Sequence, residues 1–231
     1  MTAPWLEVDL GAGVRAGFST VGLGNLGLGI GDDPEAVTSR RRAAEGWAGG
    51  PLAWGRQVHG ATVHRVGSRG GDDVAACDAM VSEGPVGLAV LAADCVPVVL
   101  ADPEARLVGV AHAGRAGLVA GVVPAVVRVL RDAGARSLRA VIGPAICGAC
   151  YEVPPDMVRD VTAAVPGAAS TTSWGTTALD LPGTVARTLA DLGVAVTDLG
   201  ACTRTDPRFF SHRGHGPGRP SGRIAGVVRL V

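Results

Sequence analysis

A chain of 231 residues with 21 acidic and 21 basic side chains has no formal net charge, and every basic residue in it is arginine. The missing lysine rules out a phosphate-binding P-loop, Schiff-base catalysis and pyridoxal phosphate chemistry, and without a clustered basic stripe the footprint of a nucleic-acid binder is absent. The expected ligand is a small molecule, bound by one domain, 1–231, that has no linker composition to divide it and is long enough to bury a substantial core.

Met1 to Asp9 carry neither a basic region nor an apolar stretch, so no secretory signal is expected, and Asp94 and Arg115 break the longest apolar stretches well short of a membrane span. The expected location is the cytoplasm, away from membranes. In that reducing compartment the five cysteines read as ligands, nucleophiles or packing residues rather than disulfide partners.

In chain order, the first feature is a glycine run from Gly22 to Gly31. It contains Gly22-x-Gly24-x-x-Gly27, but no helix opens at the third glycine, so the dinucleotide reading fails. It is expected to be a loop that brings backbone close to a ligand, with Asn25 as its polar contact. Asp33-Pro34-Glu35 then starts a helix, Asp33 as cap and Pro34 in the first position, which ends near Gly49. Strand-type runs follow at Leu52 to His59, Thr62 to Val66, Val86 to Ala93, Val96 to Ala101 and Leu107 to Ala111. Asp102-Pro103-Glu104-Ala105 joins the last two as a tight antiparallel turn.

A second helix is predicted from about Ala116 to Asp132, stopping at Gly134, with Pro124 imposing a kink or a late start. Cys147-Gly148-Ala149-Cys150 has redox-motif spacing but leads into Tyr151-Glu152-Val153 rather than a helix. It offers two thiols for a second metal site and no evident partner ligand. A third helix is capped by Asp180, has Pro182 in its first turn and ends before Gly193, with Leu181, Val185, Leu189 and Leu192 on one face. Arg213 to Gly222, rich in glycine and proline, is expected to be a mobile loop over the site. Ile224 to Val231 is a closing strand. Strands alternating with three helices predict an α/β (α+β) layered sandwich of mixed sheet with flanking helices.

The chemistry is expected where three of these runs end. His59, Cys95 and His112 present two imidazoles and a thiolate, a donor set suited to Zn²⁺, and three protein ligands rather than four leave a position for substrate, as in a catalytic site. Cu²⁺ would bind the same donors adventitiously, since it outcompetes Zn²⁺ at most nitrogen and sulfur sites. Asp94, beside Cys95, is expected either to orient a ligand imidazole or to be a turn residue with its hydrogen bonds satisfied locally, and Cys95, His112 and Asp94 form the expected catalytic set. Arg40, Arg115, Arg213 and Arg223 are candidates for holding an anion. Phe210 is expected to stack on a flat ring, with Ser211 or His212 donating a hydrogen bond. His64 and His215 are expected to be inert. The absence of His-Glu-x-x-His and of a paired His-x-Glu and Pro-Cys-x-x-Cys excludes zincins and cytidine-deaminase-type enzymes.

Six segments carry a resemblance: Gln57-Val58-His59-Gly60, Asp78-Ala79-Met80-Val81-Ser82, Ala93-Asp94-Cys95-Val96-Pro97, Ala111-His112-Ala113-Gly114, Gly143-Pro144-Ala145-Ile146 with Cys150-Tyr151-Glu152-Val153, and Cys202-Thr203 with Phe209-Phe210-Ser211-His212-Arg213. In this order they resemble the laccase-domain family of multicopper polyphenol oxidase-like proteins, regarded as zinc-dependent purine nucleoside phosphorylases. The resemblance implies a metal on His59, Cys95 and His112, and phosphorolysis of adenosine, inosine and S-methyl-5'-thioadenosine to free base and ribose 1-phosphate. It also implies adenosine deamination as a side activity, and the expected substrate contacts are Asn25, Arg40, Gln57, Phe210 and Arg213. The sequence departs from the family at Arg115-Ala116-Gly117, where Trp-Arg-Gly is usual, and at Ala92, where threonine is common. Some members are described as peptidoglycan editing factors, which supplies a second class: a cysteine hydrolase with Cys95 as nucleophile, or a non-catalytic accessory factor. A true multicopper oxidase needs several imidazole-rich centres, more than five histidines supply. The oligomeric state stays open.

Overall fold

The computed structural model describes residues 2–72, 74–218 and 220–231. In chain order its elements are β1 (Trp5–Val8), β2 (Val14–Ser19), α1 (Pro34–Ala48), β3 (Leu52–Trp54), β4 (Val63–Arg65), β5 (Ala79–Ser82), β6 (Gly87–Ala92), β7 (Val96–Asp102) and β8 (Leu107–Ala113). There follow α2 (Arg115–Val119), α3 (Val122–Asp132), β9 (Arg139–Ile142), α4 (Pro155–Ala164), β10 (Ala169–Thr171), β11 (Thr177–Leu179), α5 (Leu181–Asp191), β12 (Ala195–Asp198) and β13 (Ile224–Leu230).

Two mixed sheets form the body. One has the order β1-β2-β13-β6-β3, the other β12-β9-β7-β8-β5-β4, and β10 with β11 makes a small third sheet. The period of two along each strand decides what lies on each face. On β7, Val99 and Ala101 point into the space between the large sheets with Phe18, Leu88, Val90 and Val228, while Val98 and Leu100 point the other way, against Val126 and Leu130 of α3 and Val185 and Leu189 of α5. Covered on both faces, β7 and β8 are buried at every residue, which is why they read as unbroken apolar runs. The outer face of the first sheet takes α1 through Ala44 and Ala48, packed on Trp54, Ala89 and Val227. The architecture is the expected layered α/β sandwich.

Local chemistry sets the helix ends as expected for two helices. Asp33 caps α1 by accepting the Glu35 N–H, and Gly49 closes it at φ 82. Asp180 caps α5 by accepting the Gly183 N–H. The predicted second helix is two: Gly121, at φ 86, breaks the chain between α2 and α3. Pro124 then sits in the first turn of α3, where an N–H would have no helical partner. The run Leu52 to His59 is strand only to Trp54. Helix α4 and the short strands β1, β2, β5, β9, β10, β11 and β12 add to the predicted elements. Arg219, in the expected mobile loop, lies outside the described residues, as do Met1 and Asp73.

The turn between β7 and β8 forms where Asp102-Pro103-Glu104-Ala105 predicts it, with Asp102 paired to Leu107. Asp102 is 1 % exposed and its carboxylate accepts the N–H groups of Ala105, Arg136 and Ser137. Burial pushes its pKa up, but these backbone donors win and hold it below the ordinary value. A depressed folded-state pKa means the stabilisation is complete above the unfolded value and is lost as pH falls through the folded one. Asp102→Ala is therefore expected to cost about 3 kcal/mol near neutral pH, with a smaller deficit in acid, read by urea denaturation at both pH values. An equal deficit at both would exclude the charge as its source.

Candidate active site and metal centre

Cys95, His59 and His112 arrive from three different elements. His112 lies in β8, Cys95 in the tight turn between β6 and β7, and His59 in the loop after β3. Their ligand atoms lie within 4.8 Å of one another, and the two imidazoles meet edge to face with centroids 4.8 Å apart. His112 is buried, Cys95 half-buried and His59 exposed, so the cluster is open on one side.

Asp78, at the foot of β5, holds the histidines in place. Its carboxylate accepts the N–H groups of Val58, His59 and Gly60 at 3.1, 2.9 and 2.7 Å, wrapping the His59 turn around itself. His59 takes φ 59 there, a left-handed conformation that side chains adopt rarely. The same carboxylate meets His112 Nδ1 at 2.8 Å, which fixes the ring and leaves Nε2 for the cluster. This corrects the imidazole-orienting role for Asp94 and leaves the turn role. The Asp94 carboxylate bonds no imidazole; it accepts the hydroxyls of Thr203 and Ser211 at 2.6 and 2.7 Å and the Arg213 N–H at 2.6 Å. Asp94 itself sits at φ 85. It positions Cys95 by tying the turn to the 203–213 segment.

The electrostatics suit a cation. Burial raises the Cys95 pKa, but His112 and His59 outweigh it and bring the thiol down to about 6. Burial lowers His112, and Asp78 and the Cys95 thiolate reverse this, holding it up to about 9. The two opposite shifts favour the charged form of each partner, a thiolate beside an imidazolium, in the metal-free cluster. A zinc ion fits these donors: a thiolate already formed, an Nε2 aimed by its carboxylate partner, and space kept clear by Gly114. A Cβ at Gly114 would lie 3.0 Å from both Cys95 Sγ and His59 Cδ2. Gly114 has an ordinary negative φ of −74, so Gly114→Ala strains no backbone. It is expected to weaken metal binding at least tenfold with little change in Tm, measured by chelator competition and thermal unfolding. Asp78→Asn, which removes the charge behind His112, is expected to weaken metal binding about 10- to 100-fold.

Two cavities share Cys95 and His212. The larger, 580 Å³, is lined by Gly27 to Ile30, Arg56, Gln57, His59, His112 and Arg223 among others. The smaller, 350 Å³, is lined by Arg115, Tyr151, Val153, Met157, Leu181 and Arg213 among others. A cleft of 720 Å³ near Trp47 and Arg229 is bigger than either, yet among the described residues that line it Glu83 is the only acidic one and there is no thiol or imidazole; volume alone does not mark a reactive site.

The remaining expected contacts divide. Arg213 lines the smaller cavity, its guanidinium 5.0 Å above the Tyr151 ring. Gln57 lines the larger, though its amide also bridges the Leu91 N–H and C=O. Three are placed elsewhere. Asn25 is 4 % exposed and its amide is spent on Gly27, Asp32 and the Arg223 N–H, so it shapes the glycine loop instead of facing a ligand. Arg40 pairs with Asp32 at 2.6 Å and lines neither cavity. Phe210 is 5 % exposed, packed with Ala92, Ala93, Phe209 and Ile224, and Gly222 lies against its ring. Its faces are covered by protein, which corrects the stacking role. Among the residues that line the cavities, Tyr151 and Arg56 have no role assigned from sequence; Tyr151 stands in a segment that carries the family resemblance, but nothing in Arg56 distinguishes it from its neighbours.

The family model described as multi-copper polyphenol oxidoreductase laccase matches residues 13–231. The chain belongs to this laccase-like family. Among relatives, a purine nucleoside phosphorylase of Streptomyces griseus is 49 % identical over 217 residues, 89 % of this chain and 86 % of that protein. One of Streptomyces coelicolor is 48 % identical over 214 residues, 89 % of this chain and 87 % of that protein. The solved structure of a Bacillus licheniformis hypothetical protein, YfiH, superposes with a TM-score of 0.86 at 27 % identity, covering 99 % of this chain and 97 % of that one. Within this laccase-like chain, no helix among the described residues is long and apolar enough to cross a membrane.

Proposed function

We propose that this protein is a zinc-dependent purine nucleoside phosphorylase that splits adenosine, inosine and S-methyl-5'-thioadenosine with phosphate. The observation that carries the reading is the His59, Cys95 and His112 cluster at the junction of two cavities lined with arginine, in a chain whose relatives bear that name.

In phosphorolysis a phosphate oxygen bonds to the anomeric carbon while the bond from that carbon to the purine nitrogen breaks. Charge builds on the sugar and on the departing base, so preorganised charge and donors near both are what catalysis needs. The smaller cavity, walled by Val153, Met157 and Leu181 beside Tyr151, takes the flat base. Arg56 and Arg223 in the larger cavity hold the phosphate through their planar donor forks. His212 borders both cavities and donates a hydrogen bond to the leaving purine. His59, Cys95 and His112 would hold a zinc ion, which would supply Lewis-acid polarisation when bound.

The test is chromatography of inosine or adenosine incubated with the purified protein, with and without phosphate. Phosphate-dependent release of hypoxanthine or adenine is expected; inosine formed from adenosine in phosphate-free buffer would report deamination. The metal-free thiolate and imidazolium pair also favours a second reading, a cysteine hydrolase acting on a cell-wall precursor. Turnover that survives a chelator and is blocked by thiol alkylation would support that reading against the first.

A further inference from the structure

A second group of soft ligands lies outside the His59, Cys95 and His112 cluster. The Cys147-Gly148-Ala149-Cys150 turn follows β9, and the Cys147 carbonyl accepts the N–H groups of Cys150 and Tyr151 at 2.9 and 3.0 Å. This brings two sulfurs to one side. Some fifty residues further on, the segment after β12 runs alongside: Ala145 bridges to Cys202 in parallel fashion, with Ala145 N–H donating to Ala201 and Thr203 N–H to Ala145. Cys202 is thereby set against the turn, and its sulfur accepts the Cys147 N–H at 3.5 Å. The three sulfurs lie within 4.8 Å of one another.

We propose that Cys147, Cys150 and Cys202 form a second metal site, holding one thiophilic closed-shell cation, Zn²⁺ or Cu⁺, through three thiolates. The sequence places two of these ligands together and shows no third, because Cys202 joins them only through the pairing of two loops. Zn–S bonds of about 2.3 Å put tetrahedral sulfurs about 3.8 Å apart, so the observed spread closes by rotation about the side-chain bonds. Thiolates select Zn²⁺, Cu⁺ and iron–sulfur centres over harder ions, and three sulfurs without carboxylate or imidazole favour the first two. On binding, three metal–sulfur bonds form and the protons of the thiols ionised by the metal pass to solvent. Nothing is oxidised. The Arg204 guanidinium, which donates to the Cys150 carbonyl at 3.3 Å, places a positive charge next to the thiolates. Burial raises all three thiols, but the Cys147 N–H and the Thr205 hydroxyl bring Cys202 down to about 7, while burial and its sulfur neighbours hold Cys147 up to about 12.

The consequence for the first site is mechanical. Cys150 precedes Tyr151, which lines the smaller cavity, and Cys202 precedes Thr203, whose hydroxyl binds Asp94 next to Cys95. A metal at the three cysteines braces both walls without touching substrate.

The experiment loads the Cys95→Ala protein, which lacks the first cluster's thiolate, with Zn²⁺ and separately with Cu⁺ under anaerobic reductant, then desalts it and measures bound metal. Retention of about one equivalent of either cation is expected, and the cation retained decides between the two. Adding Cys202→Ser, or Cys147→Ser at the half-exposed position, is expected to abolish it. Bound metal is also expected to protect Cys147 and Cys202 from alkylation in the wild-type chain, read by mass spectrometry of the peptides, which does not depend on any variant folding. Neither cation retained by Cys95→Ala together with no protection in the wild type would overturn the proposal. So would binding that persists unchanged in both serine variants.

Discussion

Cys95→Ala is expected to abolish metal binding at the His59 and His112 cluster and to lower kcat/KM for phosphorolysis about a thousandfold. Among the described residues the cluster has no spare donor: His59 and His112 would remain, without the thiolate charge that offsets a dication. Polarisation by a bound ion is worth several kcal/mol in the transition state, and about 4 kcal/mol corresponds to a thousandfold. Two measurements separate causes. Elemental analysis reports the metal, and circular dichroism reports the fold, which should persist because Cys95 is a half-buried turn residue. A variant that keeps full turnover would eliminate both the metal-dependent and the cysteine-nucleophile mechanism. Cys95→Ser, which retains a hydroxyl of similar size, is expected to lie near alanine, since an alcohol does not ionise as the thiol does at about 6.

Asp94→Ala is expected to destabilise the protein by about 4 kcal/mol and to cripple the site through position rather than chemistry. The carboxylate is buried at 6 % exposure and accepts from Thr203, Ser211 and the Arg213 backbone. Hydrogen bonds to a charged acceptor are worth about 1.5–3 kcal/mol each, and removing the acceptor leaves buried donors to be resatisfied. Alanine is also disfavoured at φ 85. Asp94→Asn keeps one oxygen and tolerates the left-handed backbone, so it should lose about half as much. A pure positioning role predicts that whatever Asp94→Asn molecules fold retain zinc at wild-type affinity. A catalytic proton transfer at Asp94 instead predicts loss of kcat with full stability, a result that would make this carboxylate part of the reacting machinery.

The pair Asp78 and Asp94 shows where reading a sequence stops. Both stand next to site segments, and adjacency to Cys95 favours Asp94. Which carboxylate meets an imidazole is decided by strand pairing, β5 against β8 with Ala79 opposite Ala111, and that register is not written in either segment alone. The clustering of His59, Cys95 and His112 was legible because each has a distinctive side chain at the end of an apolar run. The caps Asp33 and Asp180 were legible because capping is local chemistry within three residues. Phe210 misled because an aromatic beside histidine and arginine reads as a binding face, whereas its burial depends on Gly222, which makes room for the ring. The short strands β10, β11 and β12 have too few residues to show a period, and α4 opens on Pro154-Pro155 with no side-chain cap.

The position of β13 has a consequence for biosynthesis. It lies between β2 and β6, pairing Phe18 with Gly226 on one side and Ala92 with Ile224 on the other, yet it is made after every other described strand. Until then β2 and β6 have no neighbour to join them, and both expose unsatisfied backbone edges on an emerging polypeptide. A chain that lacks β13 leaves those edges open, and a premature stop ahead of Ile224 would yield an aggregating fragment instead of a weakened protein.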